Sequence, residues 1–220
     1  MFTTDLKPAD TDYTKVIIQH VKELETRGYA GVEFPISPRD TQDHAPEIAS
    51  YVQLRRAMDD AGLSHVRITT NVGATRTFDP SSPYAEQRRV ALDYLKSRVD
   101  ITAALGGKIM MGPIIVPYGV FPTTDFAAPI WSDALQDLLA VRYRQAQPVL
   151  DELGKYAEER DVKLAIEPIT HWETPGPSNL SQLMNFLEGI PSRQVGVCID
   201  SAHEVLDGEG PEVFKTQVQH

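Results

Sequence analysis

Cysteine is almost absent from this 220-residue sequence; Cys198 stands alone, so no disulfide can form within the chain. It falls in the apolar run Gln194-Val-Gly-Val-Cys-Ile-Asp200, where a small core residue is the expected reading. Long hydrophobic runs are missing too. No stretch approaches the roughly 18 apolar residues needed to span a bilayer. Met1-Phe-Thr-Thr-Asp5 shows no basic segment leading into an apolar one, so no secretion signal is visible. A cytoplasmic location without a membrane partner is the expectation. Clusters of Lys and Arg are lacking, and the formal charge is −10. Binding to a nucleic-acid backbone depends on cationic neutralisation, so no nucleic acid is expected as partner. A glycine-rich phosphate loop is also absent, which favours an unphosphorylated small molecule.

What is present is an alternation of short apolar strands and amphipathic helices, without linker or low-complexity segment. Val16, Ile17, Val21 and Leu24 recur at helical spacing ahead of Gly28, a helix stop. Tyr29–Phe34 reads as a strand, Pro46–Ala61 as a helix, and His65–Thr70 as the next strand. Ser82-Pro83 suits the opening of a long helix, which stops at Gly106-Gly107. Lys108–Val116 is almost wholly apolar, as a strand covered on both faces should be. A loop rich in proline and aromatic residues, 117–131, follows. Ser132-Asp133 caps a helix to about Arg160, with Pro148 expected to kink or divide it. Strands at Val162–Glu167 and Gln194–Asp200 flank a helix at Asn179–Leu187, and a last helix begins near Pro211.

Strand and helix alternating at this spacing predict a parallel sheet flanked by helices. The expected fold is α/β, a TIM-type (β/α)8 barrel incomplete at its C-terminus, forming one domain over residues 1–220. Five strands are clear and Phe2-Thr-Thr is a possible sixth, against eight in a full barrel of about 250 residues. The expectation is therefore a fragment; completion by another chain or an open sheet are the alternatives.

Two carboxylates stand out. Glu167 and Asp200 each close an apolar strand, on consecutive strands separated by one helix. A buried carboxylate is costly unless paired or bound to a cation, and the C-terminal ends of barrel strands are where such folds place their chemistry. The pair reads as half of a metal or acid/base site. Glu33 also closes a strand on that rim, either to contact substrate or to hold an arginine such as Arg39 or Arg67. Trp172, Tyr118, Phe121 and Trp131 are candidates for an aromatic wall against a sugar. His65 begins a strand at the far end and is not a candidate ligand.

Glu167-Pro-Ile-Thr-His-Trp-Glu173 followed by Asp200-Ser-Ala-His203 resembles the xylose-isomerase-like TIM-barrel superfamily, and within it the sugar epimerases of the D-tagatose 3-epimerase type. The resemblance is specific between about Lys163 and Asp207. It implies a divalent metal on Glu167 and Asp200, with Glu167 doubling as the catalytic acid/base. It also implies that Glu173 and His203 bind substrate hydroxyls; Glu33 and Trp172 join them as substrate-binding candidates on their position and residue type alone. The His and Glu that complete the family's metal site have no counterpart in this sequence, so poor activity of the chain alone is expected. Thr170 and His171 stand where the family carries Asn and Arg. Mn²⁺ is the expected ion, with Mg²⁺ or Co²⁺ also compatible. The implied partner is a sugar or polyol, and a homo-oligomer is compatible with the family.

Other readings share the fold. Val195–His203 is similar to the abasic-site endonuclease branch, which holds three zinc ions with several histidines. Thr69-Thr70-Asn71 and Met111-Gly112-Pro113 at the earlier strand ends supply none. A lyase or dehydratase acting on a keto-sugar or inosose starts with the same proton abstraction as an epimerase. A non-catalytic binding or assembly fragment is the third class.

Overall fold

The structure is a computed structural model and describes residues 6–39, 41–119, 132–207, 210 and 212–217. The elements run α1 (Tyr13–Thr26), β1 (Gly31–Pro35), α2 (Ala45–Asp60), β2 (Arg67–Asn71), α3 (Ala85–Ala104), β3 (Ile109–Gly112) and α4 (Asp133–Glu158). They continue as β4 (Lys163–Ile166), α5 (Leu180–Leu187), β5 (Val195–Val197), α6 (Ser201–Leu206) and α7 (Glu212–Gln217). The strands are all parallel and pair in sequence order, β1-β2-β3-β4-β5. Each unit adds its strand beside the previous one and lays its helix on the outer face, which is how a barrel wall grows. The expected fold class and its five clear strands are thus observed. Phe2-Thr-Thr lies outside the described residues, as do Phe121, Trp131 and Pro211.

Side chains alternate across the sheet because strand geometry has a period of two. Phe34, Ile68, Met110, Leu164 and Ile166 are buried on the helix side, against Ile17, Leu54, Leu95, Val99 and Leu150 among others. The opposite, concave face carries Glu33, Thr69, Ile109 and Lys163 in register, then Asn71, Met111, Ala165 and Gly196 one level up. Ile109 is exposed, so β3 is covered on one face only among the described residues.

β3 is also shorter than its apolar run. Gly112 has φ 130°, and a Cβ there would sit 2.2 Å from the Val72 carbonyl oxygen. Pro113 then lacks the N–H that would extend the ladder. Ile114, Ile115 and Val116 are buried in the following loop instead.

Helix ends mostly follow the sequence. Gly106 takes φ 76° just past α3, the left-handed stop that glycine adopts without strain. Ser132 caps α4 by accepting from Leu135 N at 3.3 Å, and Asn179 caps α5 by accepting from Gln182 N at 3.0 Å. Two readings change. α3 starts at Ala85 because the Ser82 hydroxyl accepts from Tyr84 N and donates to Gln87 Oε1, holding a turn ahead of the helix. Pro148 lies inside α4, which runs through it undivided, so of the two expected outcomes division does not occur.

Candidate active site

Glu167 directly follows β4; its N–H donates to Gly112 O at 3.1 Å, which carries the ladder one residue beyond the strand. Asp200 is placed differently from expectation. β5 ends at Val197, and Asp200 is the N-cap of α6, its Oδ1 accepting from Ala202 N at 2.7 Å. One oxygen thus starts the helix that carries His203. Aspartate suits this position because its side chain satisfies an N–H that the first turn leaves orphaned.

The three side chains meet. Glu167, Asp200 and His203 each offer a ligand atom within 4.8 Å of the others. His203 Nε2 lies 4.0 Å from Glu167 Oε1, and His203 Nδ1 lies 3.9 Å from Glu173 Oε2. Glu173 is itself held by Thr170, whose hydroxyl donates to Glu173 Oε2 at 2.5 Å. Ligand atoms about 2.1 Å from a small divalent ion are at most about 4.2 Å apart, so a cation would draw this triad together by about half an ångström. Two carboxylates and an imidazole fit a borderline-hard divalent ion with positions left over for substrate.

Charge makes the same point. Burial pushes the Glu167 carboxyl above the usual carboxylate range, and the charges of Asp200, Glu33 and Glu173 push it further; His203 opposes them. A niche of about 10 Å³ lies beside Glu167, bordered by Ile115, Val116, Ile169 and Pro177 among others. The neighbourhood therefore carries more negative charge than the described side chains neutralise. A group that keeps its proton to higher pH when folded makes the folded state the larger proton binder in that window. Stability of the metal-free chain should accordingly fall as pH rises from the ordinary carboxylate range through the raised Glu167 value. In thermal unfolding with chelator, Glu167→Gln should flatten that slope; a variant slope equal to the wild type's would exclude the raised proton affinity.

The other expected residues divide. Glu33 projects from the concave face of β1, where Asn71 Nδ2 donates to it at 3.3 Å. It does not hold Arg39, which faces Glu47 at 3.9 Å instead, and no ion pair joins it to Arg67 among the described residues. Trp172 is 53% exposed and meets the His171 ring edge-on at 4.5 Å. Tyr118 joins the mouth: burial together with the charges of Glu173 and Glu167 pushes its phenol up to about 12, and the neighbouring Gly119 N–H donates to Glu173 O at 2.8 Å. His65 pairs with Glu25 at 2.5 Å on an exposed surface, away from the triad.

Cys198 is not the core residue its apolar run suggested. It is half-buried just past β5, and burial with the charges of Glu167, Glu33 and Asp200 raises its thiol to about 11. The alternation along the strand, not its mean hydropathy, was the signal for that orientation. Asn71, Thr170 and Asp207 were not anticipated as contributors. Thr170 at i−3 from Glu173, and Asp207 one turn after His203, carried a spacing signal; Asn71 carried none.

The sequence matches the family described as xylose isomerase-like TIM barrel over residues 21–220. No protein of curated function matches it. A provisionally assigned sugar phosphate isomerase/epimerase from Anabaena variabilis is 66% identical, with a TM-score of 0.93, covering 99% of this chain and 67% of that one. A D-psicose 3-epimerase from Clostridium cellulolyticum, solved with D-tagatose, is 16% identical with a TM-score of 0.69, over 91% of this chain and 62% of that one. The 3-keto-D-glucoside 4-epimerase of E. coli is 15% identical with a TM-score of 0.69, over 92% and 70%. At such identities the last two share the fold. The chain spans roughly two thirds of the length of these relatives. On the strength of the family match and the 66% identical structure, the chain belongs to the xylose isomerase-like TIM-barrel family.

Proposed function

We propose that this chain carries the metal-binding and proton-transferring residues of a sugar isomerase or epimerase that abstracts a proton from carbon next to a carbonyl. The observation that carries the reading is the convergence of Glu167, Asp200 and His203 amid the further negative charge of Glu33 and Glu173. The Glu167-to-Glu173 segment and Asp200-x-x-His203 favour the D-tagatose 3-epimerase type.

In this reading Glu167 and Asp200 hold a divalent cation, and Mn²⁺ suits a set of carboxylates with a nearby imidazole better than Mg²⁺, which keeps to oxygen. Bound there, the cation would supply electrophilic stabilisation of negative charge on the substrate oxygen. Glu167 takes the proton from carbon. Glu173, fixed by Thr170, and His203 accept and donate hydrogen bonds to substrate hydroxyls. Asn71 keeps Glu33 turned to the concave face. Trp172 offers a flat apolar surface to the C–H face of a sugar ring. The family match supports a small polyhydroxylated partner.

The test is proton exchange. In prolonged incubation with Mn²⁺ and neutral ketoses such as D-fructose and D-tagatose in D₂O, the protein should slowly wash deuterium into the carbon beside the carbonyl, and chelator should abolish the signal. Loss of water from the substrate instead of exchange would assign elimination. Absence of both, with Mn²⁺ bound, would defeat the proposal.

A further inference from the structure

A second polar opening adjoins this mouth. It has a volume of about 510 Å³, within the about 300–1,000 Å³ typical of small-molecule sites. Of its described lining residues only Leu206 is apolar; the others are Gln136, His171, Ser178, Asn179, Gln182 and Asp207. Two of them hold unmet polar atoms. The Asp207 side chain is 5% exposed, and while Oδ1 lies 2.5 Å from His171 Nδ1, Oδ2 has no hydrogen-bond partner among the described residues. Ser178 is 1% exposed and its Oγ is likewise unmatched. Buried groups of this kind are rarely left unsatisfied, and a carboxylate oxygen least of all.

The opening is tied to the triad on two sides. Asp207 follows His203 by one turn of α6, and its N–H donates to His203 O at 3.1 Å. That spacing is about 6 Å along a helix axis, roughly the width of one sugar ring. His171 lies between Glu167 and Glu173 on the loop that supplies the site. At most about 14 Å of chain separates His171 from Glu167.

We infer that the site takes a substrate of two polyhydroxylated units, a ketose-terminated glycoside, with the reacting unit at Glu167 and His203 and the second unit in this opening. The inference rests on the proposed sugar chemistry and specifies its substrate class. The wall offers amides, a hydroxyl and a carboxylate, groups that match hydroxyls acting as donor and acceptor at once. Its described lining residues include no Lys or Arg, so a phosphate or carboxylate on the second unit would face the Asp207 carboxylate with only the His171 imidazole to offset it.

The experiment compares affinities for the Mn²⁺-loaded protein by calorimetry. The probes are D-fructose and three glucosyl-fructoses that differ in linkage: turanose, leucrose and isomaltulose. At least one disaccharide should bind about tenfold or more tighter than D-fructose. Gln136→Ala, a change at an exposed position, and the isosteric Asp207→Asn should each bring that disaccharide down to the affinity of D-fructose. Thermal unfolding of both variants checks that they fold. Disaccharides that bind no better than D-fructose would overturn the inference and leave the sugar reading standing. An advantage that survives both variants would place the second unit elsewhere and overturn it too. If Mn²⁺ binds but no sugar does, the sugar reading fails and this inference fails with it.

Discussion

Replacing Glu47 with alanine should cost the fold about 3–5 kcal/mol, the range for removing one partner of a buried ion pair. Glu47 lies in the first turn of α2 and Arg98 in the middle of α3, and the Arg98 guanidinium donates through Nη2 to Glu47 Oε2 in the interior. The Arg98 side chain is 0% exposed and that of Glu47 is 4%. Little else would hold the cation. Its Nε donates to Ser97 Oγ at 3.2 Å, it stacks on the Tyr94 ring at 4.8 Å, and Nη1 has no hydrogen-bond partner among the described residues. Alanine at 47 would leave a dry, uncompensated positive charge between two helices. The double change Glu47→Met/Arg98→Met removes both charges and should recover most of the loss, because buried pairs often contribute little net stability over well-packed apolar residues. Urea denaturation of the three proteins measures this directly. A single-variant loss under about 1 kcal/mol would show that water or a rearranged neighbour reaches Arg98.

The second large effect concerns the cation. With Glu167 and Asp200 both changed to alanine, His203 is the sole member left of the triad, and one imidazole does not hold a hard divalent ion against water. Mn²⁺ affinity should fall by at least about 100-fold, and the ion-dependent deuterium exchange with it. The folded state should survive, because Glu167 is destabilised by its own burial and by three neighbouring carboxylates. Asp200→Ala also removes the α6 cap, at a cost of about 1 kcal/mol, which opposes the relief at Glu167. The metal-free variant should therefore unfold within a few degrees of the metal-free wild type at neutral pH. Mn²⁺ should then raise the unfolding temperature of the wild type only, as any ligand selective for the native state does. Retention of Mn²⁺ affinity in the variant would move the metal site away from this mouth.

These two cases show what can be read along a chain. Glu167 and Asp200 are legible because each follows an apolar strand within a few residues, and a carboxylate in that position needs a reason. The strand–helix alternation is legible for the same local cause. Placement of Asp200 on a helix cap instead of a strand end depends on where the β5 ladder stops, which is set by pairing with β4. Cys198 looked like core because a window of mean hydropathy cannot see which side of the sheet a residue takes. Glu47 and Arg98 are 51 residues apart; each alone is an ordinary charged helical residue, and only the packing of α2 on α3 joins them. Asp207 belongs between these extremes: its helical spacing from His203 was visible, while its carboxylate's contact with His171 required the fold.

The unbroken strand order has a consequence for biosynthesis. Among the described residues each strand after β1 pairs with the strand of the unit just before it, so these pairings close loops of similar, moderate length, and the loop-closure entropy of each addition grows little along the sheet. A nascent chain can lay down β1 and β2 and go on docking units as they leave the ribosome. Glu167, Glu173, Asp200 and His203 sit on the units around β4 and β5 and are translated onto a wall that already carries Glu33 and Asn71. Changes at Glu167, Asp200 or Asp207 therefore act on a late step, and the earlier units should reach their native pairing at the same rate with or without them.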